Sequence, residues 1–124
     1  GYAEWYRTLK VDLLHRGLFP VATNQKPRPK SIHIQFQMWH SDIAQQATLA
    51  VLTSKNVSAQ EKWDIDNGKS YATIINSLTD ALQKRYDEVD ELGSDTAHWL
   101  LADLNARYGG AYDPKIIALF LIES

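Results

Sequence analysis

Apolar residues recur at three- and four-residue steps along the first part of the chain. The apolar positions there are Tyr2, Trp5, Tyr6, Leu9 and Leu13. This spacing places their side chains on one face of a helix, so the pattern predicts a helix over residues 2–16. Gly17 suits a left-handed C-cap, and Leu18 is placed to fold back onto the helix. Pro20 indicates that the helix has ended.

Two prolines mark the following segment. Pro27 and Pro29 disfavour helix, so residues 21–30 are predicted to form an extended linker between two parts of one domain. Three cations are interleaved with these prolines: Lys26, Arg28 and Lys30. The pattern favours a solvated linker. The alternative is a small patch that touches phosphate groups, as in an RNA contact, although no aromatic stacking surface accompanies it.

The middle of the chain allows two interpretations. Residues 32–38 alternate in part between apolar and polar positions, so a short strand competes with a helix capped by Ser31. Residues 39–51 favour helix. Ser58 and Glu61 match a capping box, in which each side chain satisfies a backbone N–H of the other residue. A new helix is therefore predicted to begin at Ser58.

This helix is predicted to continue through residue 82, with the charged run 84–91 as its exposed end. A turn at 93–96 precedes an amphipathic helix over 97–108. Asp113 and Pro114 then suit the start of a last helix. The pattern thus predicts an all-α fold, a compact bundle of about five helices, in a single domain over 1–124. The predicted core residues are Trp5, Leu9, Leu13, Trp63, Ile74, Leu78, Leu101, Leu104 and Tyr108.

Composition narrows the class of protein. The chain has 124 residues, 44% of them hydrophobic and 23% charged, as expected of one globular domain. It has no cysteine, which excludes disulfides, thiolate metal sites and a cysteine nucleophile and fits a cytoplasmic location. No apolar run is long enough for a membrane helix. The apolar run 116–122 indicates an element cut short, so we expect the chain to be part of a longer protein.

The sequence offers little catalytic chemistry. None of its four histidines stands in a metal-ligand spacing with a partner. The acidic residues lie in polar stretches typical of a solvated surface rather than of a cleft. We therefore expect no enzyme activity and no metal or cofactor. A small helical enzyme or metal protein is the least favoured alternative.

Tryptophan is the unusual residue type, with four copies. Trp99 lies off the apolar stripe of its predicted helix, on the side of Ala102 and Ala106. It is therefore either buried under the last helix or exposed as an anchor for a partner, because aromatic anchors dominate interface energies. The candidate contact residues are Trp99, Tyr112 and Phe120.

Three segments together resemble a known family. The first segment contains Tyr2, Trp5, Leu9 and Gly17-Leu18. The second contains Trp63, Asn67, Ser70, Ile74, Ser77 and Leu78, and the third contains Thr96-Ala97, Leu101, Leu104 and Tyr108-Gly109. Their order and spacing resemble the N-terminal part of Gag polyproteins from copia-type long-terminal-repeat retrotransposons. Asn67, Ser70 and Leu101 stand where that family has an acid, an alanine and a tryptophan, and residues 39–57 are an addition to its pattern.

The resemblance implies a capsid-like helical domain that self-associates into particles around RNA and carries no catalytic residues. It also implies that the chain belongs to a retrotransposon or to a host gene derived from one. The alternative function is a monomeric helical adaptor or effector domain that binds an unrelated protein through its aromatic surface. No membrane partner is expected in either case.

Overall fold

A computed structural model describes residues 1–32 and 43–109, with the backbone alone for 43–45. Its described part contains five helices and no strand, which confirms the predicted all-α class. The helices are α1 (Tyr2–His15), α2 (Phe19–Ala22), α3 (Ile43–Asn76), α4 (Asp80–Asp87) and α5 (Ala97–Tyr108). None of these helices is long and apolar enough to cross a membrane.

The chain divides into two compact units. The first takes Gly1–Lys26 and the described residues from Asp66 onward, and the second takes the described residues of Pro27–Ile65. The boundary between them at Lys26 falls inside the predicted linker 21–30. That the whole chain forms one domain stays a prediction.

Helix α1 ends as the sequence predicts. Gly17 has φ 72°, a left-handed conformation that costs little only without a Cβ. Its N–H donates to the Leu14 carbonyl at 3.1 Å, and the Leu18 N–H donates to the Leu13 carbonyl at 2.8 Å. These two bonds form a Schellman motif, which satisfies the last carbonyls of the helix. The motif turns Leu18 back into the core, where it is buried.

Helix α2 corrects the linker prediction. Pro20 lies in the first turn of α2 instead of simply ending α1. A proline is tolerated there because the first N–H groups of a helix have no partner within it. Val21 and Ala22 are helical and buried, so the first two residues of the predicted linker 21–30 belong to the core of the first unit.

Helix α3 corrects a second prediction. It continues through Ser58 without a break, so the capping box there does not begin a helix. No proline or left-handed glycine interrupts the chain near this point, and a capping side chain adds stability only where backbone N–H groups lack partners. Helix α3 ends at Asn76, and Thr79 caps the separate helix α4 by accepting from the Leu82 N–H at 3.3 Å. The predicted continuation through residue 82 is therefore wrong.

The predicted strand or helix over 32–38 and the predicted last helix at Asp113 lie almost entirely outside the described residues. The described residues contain five helices, as many as were predicted for the chain, although α2 and α4 were not expected as separate helices.

Apolar side chains from α1, α2, α3, α4 and α5 form the core of the first unit. Its buried residues include Leu9, Leu13, Leu18, Ala22, Ile74, Leu78, Leu82, Tyr86, Ala97, Leu100, Leu101, Leu104 and Tyr108. Seven of the nine predicted core residues are among them. Trp5 packs against this cluster while partly buried. Trp63 belongs to the second unit, where it is half-buried.

The side chain of Asn67 fixes the start of α5. Its Oδ1 accepts from the Ala97 N–H at 2.8 Å, and its Nδ2 donates to the Asp95 carbonyl at 3.2 Å. Thr96 completes this helix start by accepting from the Trp99 N–H at 3.2 Å. Because Ala97 is fully buried, its N–H requires a partner inside the protein.

We predict that Asn67→Ala lowers the free energy of unfolding by about 1–3 kcal/mol, because it leaves the buried Ala97 N–H without an acceptor. Urea unfolding followed by circular dichroism measures the change. Asn67→Asp keeps the acceptor and should lose less. Lys69→Ala, an exposed change on the same helix, should stay within about 0.5 kcal/mol of the native chain. Equal losses for the alanine and aspartate variants would contradict this role.

Candidate interaction surfaces

Trp99 lies at the edge of the core of the first unit. It is half-buried and packs edge-on against Tyr86, with ring centroids 6.2 Å apart and an interplanar angle of 83°. Such an edge-to-face pair stabilises both rings beyond the area that they bury. Trp99 thus combines a structural contact with a remaining exposed surface. Its role as an anchor for a partner stays a prediction.

A polar chain of side chains supports this aromatic pair. The Tyr86 hydroxyl donates to Asp103 Oδ2 at 2.7 Å, and Arg107 Nε donates to both carboxylate oxygens of Asp103 at 3.0–3.1 Å. Burial of the ring, followed by the hydrogen bond to Asp103, raises the pKa of Tyr86 well above its usual value. The Tyr86 phenol therefore stays protonated and acts as a donor at neutral pH.

Three aromatic rings cluster at the start of α1. The Tyr2 ring lies 5.4 Å from Trp5 and 6.1 Å from Tyr6, and the two tyrosine rings are nearly parallel at 16°. Trp5 Nε1 donates to Ser77, with Oγ at 3.0 Å and the carbonyl at 3.2 Å. The Tyr2 hydroxyl donates to Asn105 Oδ1 at 3.2 Å. The cluster therefore attaches the first turn of α1 both to the end of α3 and to α5.

An open groove of about 360 Å³ lies beside this cluster within the first unit. It is lined by Tyr2, Tyr6, Ala22, Thr23, His98, Leu101, Ala102 and Asn105. Sequence reasoning missed the groove because one of its walls is α2, which was interpreted as part of a linker. Burial, with a smaller effect of Tyr6, raises the pKa of Tyr2 to about 12.

The basic segment of the second unit runs antiparallel to α3. The Arg28 guanidinium donates to the Asp64 carboxylate at 2.9 and 3.2 Å, and the Pro29 carbonyl accepts from Gln60 at 2.9 Å. Asn56 Nδ2 donates to the Lys30 carbonyl at 2.9 Å. The polar side chains of α3 thus hold an extended segment whose prolines have no backbone N–H for a regular hydrogen-bonding pattern.

The predicted phosphate contacts are divided between the two units. Lys26 belongs to the first unit, whereas Arg28 and Lys30 belong to the second. The hydrogen bond from Arg28, with its charge, lowers the pKa of Asp64, so this ion pair persists at neutral pH. Both Arg28 and Asp64 are exposed, so the pair contributes little stability. Phosphate binding by these residues stays a prediction.

Two of the predicted contact residues, Tyr112 and Phe120, lie outside the described residues. Within residues 1–32 and 43–109, no three histidine or acidic side chains converge in a way that would hold a metal ion.

The described chain is an all-helical protein that presents aromatic and aliphatic side chains at its surface beside a small core. Comparison with family models, with curated proteins and with solved structures finds no match to it.

We predict that Trp99→Ala lowers the free energy of unfolding by about 1–2 kcal/mol, because it removes a half-buried ring and the edge contact of that ring with Tyr86. Chemical denaturation measures the effect, and Trp99→Phe should recover part of it. An unchanged unfolding midpoint for Trp99→Ala would show that the packing contributes nothing.

We predict that stability falls as the pH rises above about 10. Folding raises the pKa of Tyr2, Tyr71 and Tyr86, mainly through burial, so the unfolded chain releases these protons first. Their contribution is complete below pH 10 and is lost at higher pH, through about pH 12 for Tyr2. Tyr2→Phe and Tyr86→Phe should each flatten the decline between pH 10 and 12 in thermal melts. A slope equal to that of the native chain would contradict the prediction.

Proposed function

We propose that this chain is a capsid-like Gag domain whose function is self-association rather than catalysis. The observation that carries the proposal is where the residues of the family pattern lie in the structure. Apart from Trp63, the residues of the family pattern occupy the core and the helix junctions of the first unit.

Four of these residues have specific structural duties. Gly17 forms the left-handed end of α1, and Asn67 joins α3 to the start of α5. Ser77 accepts the ring N–H of Trp5, and Thr96 caps α5. An accidental series of amphipathic helices would match a pattern at its apolar positions. Gly17, Ser77 and Thr96 match the pattern at such junctions as well, which favours a related fold.

Each departure from the family pattern has a hydrogen-bond partner or a buried place in the first unit. Asn67, in place of an acid, still offers an oxygen to the Ala97 N–H. Ser70, in place of alanine, is fully buried and satisfies its hydroxyl with the Asp66 carbonyl at 2.7 Å. Leu101, in place of tryptophan, is buried in the core.

The described residues of the added segment 39–57 belong to the second unit. Of the residues that carry the resemblance, only Trp63 belongs to this unit. The second unit is therefore consistent with an insertion into a shorter family fold.

Self-association requires surface contacts that are individually weak and are repeated by symmetry. The described surface offers apolar side chains for them. The exposed large aliphatic residues are Val11, Leu14, Val51, Leu52, Val57, Ile65 and Leu92. The monomeric adaptor remains the alternative, with the groove beside Tyr2 as its natural binding site.

We predict that the native chain forms larger species as its concentration rises. Sedimentation velocity across a hundredfold concentration range measures this, and negative-stain electron microscopy then shows whether the larger species have a regular curvature. The self-association proposal fails if one monomeric boundary persists at every concentration, and a monomer that captures a specific protein would favour the adaptor.

A further inference from the structure

Four neighbouring positions on the outer face of α1 combine positive charge with apolar surface. Arg7, Lys10, Val11 and Leu14 are related by three- and four-residue steps, so their side chains adjoin one another on the helix. Val11 is 62% exposed and Leu14 is 53% exposed. We call this set of four residues the basic apolar patch.

The positive charge of this patch is not neutralised within the described structure. Neither carboxylate on α1 forms an ion pair with this patch, since Asp12 pairs with Arg16 at 2.8 Å and no described ion pair joins Glu4 to Arg7 or Lys10. Arg7 forms no ion pair with a described residue. The Lys10 ammonium lies 5.4 Å from the centre of the Phe19 ring, which orients it without cancelling its charge.

The loop between α4 and α5 combines negative charge with an apolar side chain. Leu92 is fully exposed, and Asp90 and Glu91 precede it directly. The Ser94 N–H donates to the Glu91 carbonyl at 3.0 Å, which closes a tight turn with Leu92 and Gly93 as its central residues. Gly93 has φ 82°, as a type II turn requires at its third position. The turn therefore holds Leu92 at its tip, beside two carboxylates.

No described cation pairs with Asp90 or Glu91. Both the loop and the basic apolar patch belong to the first unit. Every copy of the chain carries one of each. Their charges are opposite, and each contains apolar side chains that solvent now surrounds. Two surfaces of this kind satisfy each other's charges and exclude water from each other's apolar groups.

We infer that the occupant of the basic apolar patch is a second copy of this chain, which inserts Leu92 between Val11 and Leu14. In this contact Asp90 and Glu91 face Arg7 and Lys10. The inference rests on the proposed self-association and names the surfaces that carry it. Because the two surfaces differ, the contact either repeats head-to-tail in a ring or an open chain or forms twice in a symmetric dimer.

Such a contact is small, so a single one is weak and depends on ionic strength. Sedimentation velocity of the native chain should therefore show stronger association at low salt. The apolar part is tested with Leu92→Ser, for which Ala72→Ser is the control because Ala72 is an exposed apolar residue outside both surfaces. Only the Leu92 variant should lose association.

Charge reversal tests the pairing itself. Arg7→Glu with Lys10→Glu, and separately Asp90→Lys with Glu91→Lys, should each weaken association on the order of tenfold or more, because like charges then face each other. These four residues are exposed, so thermal melts should stay near the native value.

An equimolar mixture of the two charge-reversed proteins should associate again. In that mixture each acidic surface meets a basic one, in alternating order along the assembly. A mixture that stays monomeric, or reversed variants that associate as the native chain does, would overturn this pairing while leaving self-association intact. A native chain that is monomeric at every concentration and salt would overturn both the pairing and the proposed function.

Discussion

The amide of Asn67 satisfies the fully buried N–H of Ala97 and the carbonyl of Asp95 at the same time. Helix α5 can begin inside the core only because this side chain, with the Thr96 cap, provides partners for backbone groups that water cannot reach. The start of α5 in turn places Leu100 and Leu104 against the remaining helices. The rest of the first unit depends on this one junction between α3 and α5.

The same principle explains the second unit by different means. A segment with two prolines cannot form a helix or pair regularly with a strand, yet its carbonyls still need donors. Gln60 and Asn56 supply them from the side of α3, and Arg28 adds an ion pair to Asp64. Polar residues in the middle of a long helix thus have a structural role.

The partly buried tryptophans contribute to the stability of the core and also keep some exposed surface. Trp5 buries one edge and donates its ring N–H to Ser77, and Trp99 contacts Tyr86 while it keeps an exposed side. An aromatic residue in this position is rigid because the core holds it, and a rigid side chain loses little entropy when a partner covers it. The proposed self-association would thus use side chains that are already fixed in the separate chain, together with the charged surfaces of α1 and the α4–α5 loop.

The sequence alone determined the elements whose signals are local. The spacing of apolar residues defined α1 and α5, Gly17 defined the end of α1, and most of the core followed from the same spacing. Tertiary contacts decided the rest. Whether Pro20 stops a helix or begins one depends on the burial of Val21 and Ala22. Whether Ser58 caps a helix depends on whether the residues before it are already helical. Capping residues and prolines permit a helix boundary, but only the packing around them determines whether the chain uses it.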